Sequence, residues 1–153
     1  MSIKEKLAAL GVTLPTAAAP VAAYVPAVKS GNLIFTAGQL PVVNGKLVKE
    51  GKVGSDVTAE EANELAQICA LNALAAISLV TDLDQVEQVV RVGGFVNCAP
   101  GFTAIPGVVN GTSEFLIKVF GDVNGKHART AVGVAELPLN APVEIEILVQ
   151  LKN

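Results

Sequence analysis

The sequence predicts a two-layer α+β sandwich: one mixed β-sheet with two main helices packed on one of its faces. Three observations lead there. Val143, Ile145, Ile147 and Val149 alternate strictly with Glu144, Glu146, Leu148 and Gln150, the period of a strand with one buried face. An alanine- and leucine-rich stretch over residues 59–80 keeps helical spacing through Leu65, Ile68, Asn72, Ala75 and Leu79. Around these lie short β-rich runs and a second helical stretch, which together give the order β-β-β-α-β-α-β-β.

Taken along the chain, Ser2 and Glu5 make a capping-box pattern ahead of Leu7 and Leu10, so a short surface helix opens the protein. Residues 16–23, rich in alanine and proline, form an extended lead-in. Tyr24 to Val28 continues as an edge-like strand, because Pro26 has no N–H to give a ladder. Lys29-Ser30-Gly31-Asn32 turns the chain into a β-rich run over residues 33–38. Asn44-Gly45 between apolar pairs is a strong hairpin signal.

Thr58 and Glu61 form a second capping box, and Glu60, Glu61 and Glu64 place negative charge where the helix dipole favours it. Residues 82–85 close that connection. The next strand covers residues 86–98, with Gly93-Gly94 marking either a bulge or a close backbone approach. Residues 99–108, with two prolines and two glycines, are a loop. Residues 110–120 are a helix with Phe115, Val119 and Phe120 inward and Gly121 as its stop. A strand from Arg129 through Ala135, a turn over residues 137–141 and a last strand over residues 142–151 complete the chain.

A chain of 153 residues is one domain of ordinary size, able to close a single core. It is 51% hydrophobic and 16% charged, well below the roughly 25% charge of an average domain, so apolar surface is in excess. A subunit interface is the simplest place for that excess. The longest apolar runs, such as residues 70–80, are about half of a membrane span and are interrupted by Asn72 and Ser78, so no membrane partner is expected. The N-terminus lacks a long apolar segment with a cleavage site, and a cytoplasmic location is expected. A net charge of −3, 4% aromatic residues and no tryptophan argue against nucleic acid. Cys69 and Cys98 form no CxxC pair and His127 is the one histidine, so no metal or other cofactor is expected, and the cysteines read as small buried residues.

Only two of the eleven basic residues are arginines, Arg91 and Arg129. Were the strand that Arg129 opens to pair with the last strand as a hairpin, Arg129 would fall past the paired region near Gln150, not beside Glu144. A second subunit or a neighbouring strand is therefore needed to unite cation and carboxylate. Spacing alone leaves Arg129 as either a ligand-binding cation or a surface salt bridge worth about 0–1 kcal/mol. Arg91 reads as an exposed or interface ion-pair partner, and His127 as a solvent-facing loop residue or a pH-sensitive group in a cleft. Glu146 shares a strand face with Glu144, and if the two carboxylates are close, one holds its proton more tightly.

Tyr24 and Gly38-Gln39-Leu40-Pro41 within "AAYVPAVKSGNLIFTAGQLPV", with "ARTAVGVAELPLNAPVEIE" over residues 128–146, resemble the Rid family of reactive-intermediate deaminases, also called YjgF-like proteins. The similarity runs from about residue 15 to the end and makes residues 1–153 one such domain, with residues 1–14 as an N-terminal helical extension. It implies a chorismate-mutase-like fold, a homotrimer with clefts at its subunit interfaces, and hydrolysis of enamine or imine acids such as 2-aminoacrylate to a 2-oxo acid and ammonia. By the same matching Arg129 holds the substrate carboxylate and Glu144 guides or deprotonates water. Tyr24 lines the cleft, while Gly38 and Ala131 offer backbone N–H groups. A guanidinium fork suits a small carboxylate in a way a lysine does not. The chain departs from the common pattern at Ala131, where many members carry Cys, at Ala37, where many carry Ser, and over residues 99–108. A helix residue often seen as Asn is accordingly Asn110 or Thr112. These departures mark a side branch and leave open a protein that binds small imino or 2-oxo acids without turning them over. A nuclease label borne by some relatives fits the acidic balance poorly.

Overall fold

The structure is a computed structural model that describes residues 1–20 and 22–153; Val21, in the predicted lead-in, lies outside the described residues. Its elements are α1 (Ile3–Ala9), β1 (Ala27–Ser30), β2 (Leu33–Thr36), β3 (Val42–Val43), β4 (Lys46–Leu47), α2 (Ala59–Ser78), β5 (Val86–Asn97), α3 (Ile105–Asn124), β6 (Ala128–Val134) and β7 (Val143–Leu151). Single 3-10 turns at Leu83–Gln85 and Pro138–Asn140 complete the connections.

Five strands form one mixed sheet in the order β1-β2-β7-β5-β6. All pairs are antiparallel except β5 and β6, which run parallel and are joined through α3. The expected alternation appears in β7: Val143, Ile145, Ile147, Val149 and Leu151 are buried and the residues between them are half-exposed. Both long helices cover that buried face, and α2 packs against α3. The other face carries a row of residues in register, Val28, Phe35, Leu148 and Arg91, of which Val28 and Phe35 are about half exposed.

Local signals define the helices. Both capping boxes form, with Ser2 and Thr58 accepting from the N–H groups of Glu5 and Glu61 and each glutamate bonding back. Lys49 adds an ion pair to Glu61 at 2.7 Å. The first helix is less superficial than its sequence implies. Ile3 and Leu7 are buried in the common core, because the Ile3 N–H donates to Asp84 Oδ1 at 2.6 Å and pins the helix on the turn after α2.

Several boundaries differ from the sequence expectation. The first strand starts at Ala27 and includes Lys29 and Ser30, since Gly31 (φ 61°) and Asn32 suffice to turn the chain. Helix α3 begins at Ile105, inside the expected loop, because Pro106 lies in the first turn, where its missing N–H costs nothing. It also continues to Asn124 across a break at Gly121 (φ 88°). The bulges of β5 lie near Glu87 and Val90, not at Gly93-Gly94; those glycines mark the close-approach alternative. Cys69 is fully buried, whereas Cys98 is only half-buried.

Strands β6 and β7 do not pair as a hairpin. Strand β5 lies between them, and residues 135–142 cross over its end. Buried Asn97 holds that crossing, donating to Asn140 Oδ1 (3.2 Å) and Ala141 O (3.1 Å) while accepting from Lys52 Nζ (2.7 Å).

The two helices touch through small residues. A Cβ at Gly111 would lie 1.9 Å from the Asn63 carbonyl oxygen of α2, and the buried Thr112 hydroxyl donates to Ala66 O at 2.7 Å. Gly111→Ala must push the helices apart and is expected to destabilise the protein by about 1–3 kcal/mol. At Gly107, by contrast, a Cβ meets open space, and Gly107→Ala is expected to stabilise by about 0.5–1 kcal/mol. Urea unfolding of the two variants measures the opposed signs.

Candidate functional site

The sequence-predicted residues fall into two groups. Gly38 and Glu144 meet directly. Strand β2 leaves its ladder with β7 at Thr36, whose hydroxyl accepts from the Ile147 N–H (2.9 Å), and pairing resumes where Gln39 exchanges both backbone bonds with Ile145 (2.8 and 3.0 Å). The intervening backbone brings Gly38 so near Glu144 that a Cβ would lie 2.1 Å from Glu144 Oε1. Glycine is therefore required for this carboxylate to lie flat on the backbone. The Gly38 N–H has no acceptor among the described residues. Gly38 also lines a cavity of about 120 Å³ with Tyr24, Pro26, Gln39, Leu40 and Asn72. Asn72 of α2 fixes one wall by donating to Leu40 O and Val42 O, both at 3.0 Å.

Glu144 and Glu146 project from the open face of the sheet. Glu146 is seated on Gly93 much as Glu144 is on Gly38, a Cβ there falling 2.8 Å from Glu146 Oε1. Burial raises the pKa of Glu144 above the ordinary carboxyl value, and the neighbouring charge of Glu146 adds to the effect.

Arg129 and Ala131 lie on β6, at the far edge. Arg129 is in register with Val92, and Val92 with Ile147, both buried under the helices. The guanidinium thus belongs to the helix side of the sheet and Glu144 to the opposite side. Within one chain they do not form a common site. Arg129 Nη1 donates to Asn110 Oδ1 at 2.7 Å and to Ser113 Oγ at 3.2 Å, both on α3. Of Asn110 and Thr112, Asn110 is the one that meets Arg129, whereas the Thr112 hydroxyl is buried against Ala66 O. The ion pairs among the described residues are Lys49 with Glu61 and Lys52 with Glu136, so no carboxylate neutralises Arg129. The salt-bridge reading of this arginine is thereby removed within the chain. Arg91 is likewise in no ion pair; it donates to Thr130 Oγ1 at 2.8 Å.

His127 is not the solvent-facing residue its loop position implies. It is half-buried, with Nε2 2.9 Å from Ser113 Oγ and Nδ1 2.7 Å from Gly125 O. Burial lowers its pKa, the Gly125 carbonyl opposes that, and the charge of Arg129 lowers it further. Ser113, which sequence reasoning passed over, stands three residues after Asn110 and so on the same side of α3.

The structure gives Glu144 a distinct pH signature. A carboxyl whose proton is held more tightly in the fold contributes most below its ordinary value of 4.5, and that contribution is lost as pH rises through the raised value. Glu144→Gln, neutral at every pH, is expected to raise the thermal midpoint by a few degrees at about pH 8 and to change it little at about pH 4.

Comparison with known proteins places these features in context. A family model described as "YjgF/chorismate_mutase-like, putative endoribonuclease" matches residues 4–151. Protein TCP17 of Trypanosoma cruzi is 41% identical over 152 residues, covering 99% of this chain and 95% of its own length. The 2-iminobutanoate/2-iminopropanoate deaminase of Escherichia coli (strain K12) is 33% identical over 139 residues, covering 89% and 94%. The crystal structure of Atu1372 from Agrobacterium tumefaciens, a protein of unknown function, superposes with a TM-score of 0.88 at 42% identity, covering 98% of this chain and 92% of that one.

Proposed function

Because the chain belongs to the YjgF/chorismate mutase-like family, we propose that it hydrolyses reactive imine and enamine acids of the 2-aminoacrylate type, releasing a 2-oxo acid and ammonia. The observation that carries this reading is the half-buried guanidinium of Arg129, held on one nitrogen by neutral oxygens. Among the described residues its Nε and Nη2 make no hydrogen bond. That edge offers the parallel N–H donors that fit the two oxygens of a carboxylate. Supporting it are the E. coli relative that bears an imine deaminase name and the apposition of Gly38 and Glu144.

In this reading the substrate carboxylate rests on Arg129, and Glu144 of an adjoining copy faces the C=N carbon. Glu144 takes a proton from water as the water oxygen bonds to that carbon, and passes it to the imine nitrogen to give a neutral carbinolamine. Glu144 then takes the hydroxyl proton and delivers it to the amine nitrogen as the C–N bond breaks, C=O forms and ammonia leaves. An enamine first gains a proton at carbon to become the imine. A carboxyl whose pKa is raised toward neutral is a stronger base for this step than an ordinary one. Gly38 and Ala131 supply backbone donors to the ligand and Tyr24 lines its cleft.

The assembly is part of the proposal, because the two halves occupy opposite faces of the sheet in one copy. A homotrimer that closes half-site against half-site also covers the apolar row of Val28, Phe35 and Leu148. Its native mass is then three times the 15.7 kDa of one chain, which light scattering measures.

Imines generated in solution by an amino-acid oxidase supply the direct assay, read as ammonia or 2-oxo acid release. Arg129→Ala is expected to lower kcat/KM by about 10- to 100-fold, the loss of one charged bidentate partner, and Arg129→Lys to restore little of it. Glu144→Gln is expected to cut kcat by at least about 100-fold while 2-oxobutanoate still binds. No acceleration by the native protein, or full activity in Arg129→Ala, overturns the deaminase reading. Saturable 2-oxobutanoate binding without turnover replaces it with a carboxylate-binding protein.

A further inference from the structure

We propose that Ser113 and His127 are positioning residues for Arg129, a relay in which the histidine sets the direction of the serine proton and so keeps the guanidinium turned with its Nε and Nη2 edge outward. The proposal rests on the preceding reading that this edge receives a carboxylate, and it adds how the edge is presented.

The polarity of the relay follows from its ends. The Gly125 carbonyl can only accept, so the 2.7 Å contact puts a hydrogen on His127 Nδ1. In the neutral ring Nε2 is then an acceptor, and the Ser113 hydroxyl 2.9 Å away donates its one hydrogen there. That leaves the serine oxygen with lone pairs alone, and one of them takes the hydrogen of Arg129 Nη1 at 3.2 Å. Asn110 Oδ1 takes the other at 2.7 Å. Both hydrogens of a single guanidinium nitrogen are thereby spoken for, and the plane of the group is set by two points on one helix.

The anchor of the relay is fixed by backbone geometry. A Cβ at Gly125 would fall 2.7 Å from Gly121 O and from Ile117 Cα, so this buried position does not admit a side chain unless the end of α3 shifts. His127 follows two residues later in the short link from α3 to β6, and Arg129 two after that, within β6. The groups against the imidazole are the neutral Ser113 of α3, the Gly125 carbonyl and, as the charged neighbour, Arg129 itself. Burial and that charge favour the neutral ring, the form the relay needs. A protonated ring would carry hydrogens on both nitrogens and could no longer accept from the serine.

Kinetics and nuclear magnetic resonance test this together. In the imine assay, Ser113→Ala and His127→Phe are expected to raise KM roughly 3- to 10-fold with kcat within about twofold, as expected for a lost neutral hydrogen bond that orients bound substrate. Ser113→Thr and His127→Gln, which keep a hydroxyl and an acceptor, are expected to stay near the native KM. A role in folding alone would not give that rescue. Because the chain has one histidine, its ring ¹⁵N signals are assigned without ambiguity. They are expected to show the Nδ1–H tautomer, and its pKa is expected to rise in Arg129→Ala. Unchanged KM in both disruptive variants, an Nε2–H tautomer, or a histidine pKa that ignores Arg129 overturns the relay. Should the native protein turn over no imino acid, the deaminase reading fails separately. The tautomer and the titration then decide the relay on their own.

Discussion

A guanidinium that meets only neutral oxygens must find its counter-charge outside the chain, and Arg129 is in that position. Removing half of such a group from water is costly without compensation. Asn110 and Ser113 supply dipoles, not charge, and they occupy one nitrogen. The geometry that produces this is the β5–α3–β6 unit. Parallel pairing places Arg129 opposite Val92 on the helix side, while α3 passes close enough to touch it through two residues one turn apart. A longer side chain at Gly94 would disturb this packing, since a Cβ there would fall 2.5 Å from Val109 of α3. The same small residues that let helix and sheet close together therefore also set the height of the clamp above the edge strand.

On the opposite face, glycine serves a different end. Gly38 and Gly93 each lie under a carboxylate, Glu144 and Glu146, and give these side chains a backbone surface to lie on. Such seating removes water from one side of each carboxyl and brings two like charges onto one strand face. Both effects act in the same direction on Glu144. In an open strand with larger neighbours the carboxylate would stand out into water and keep an ordinary proton affinity.

Sequence legibility follows the range of the interactions. Capping boxes, the Asn44-Gly45 turn and the alternation of β7 are written within a few residues, and they appear in the structure where the pattern puts them. Strand order is not written locally. Nothing near residues 137–141 tells that β5 will come between β6 and β7, because that outcome depends on a strand more than thirty residues upstream and on Asn97 bonding the crossing loop. The start of α3 was hidden by Pro106 and Gly107, residues that signal a loop until the first turn of a helix is allowed for. The site shows the same division. Arg129, Glu144, Gly38 and Tyr24 stand in a recognisable string, whereas Ser113 and His127 are ordinary residue types whose significance comes from direction: which atom donates and which accepts. The spacing of Asn110 and Ser113 was a usable clue, since residues three apart on a helix can share one partner.

The separation of the two half-sites has its own consequence. A single sheet can hold an uncompensated cation on one side and a proton-hungry carboxylate on the other because its thickness keeps them from neutralising each other. A hairpin of β6 and β7 would not have joined them either, since Arg129 would then fall near Gln150 and not beside Glu144. The intervening β5, with glycines at the positions facing Ala131 and Glu146, keeps them apart while adding no bulk to the surface between. The isolated chain thus holds the two groups on opposite faces of one sheet, and the site proposed above is completed only across two copies.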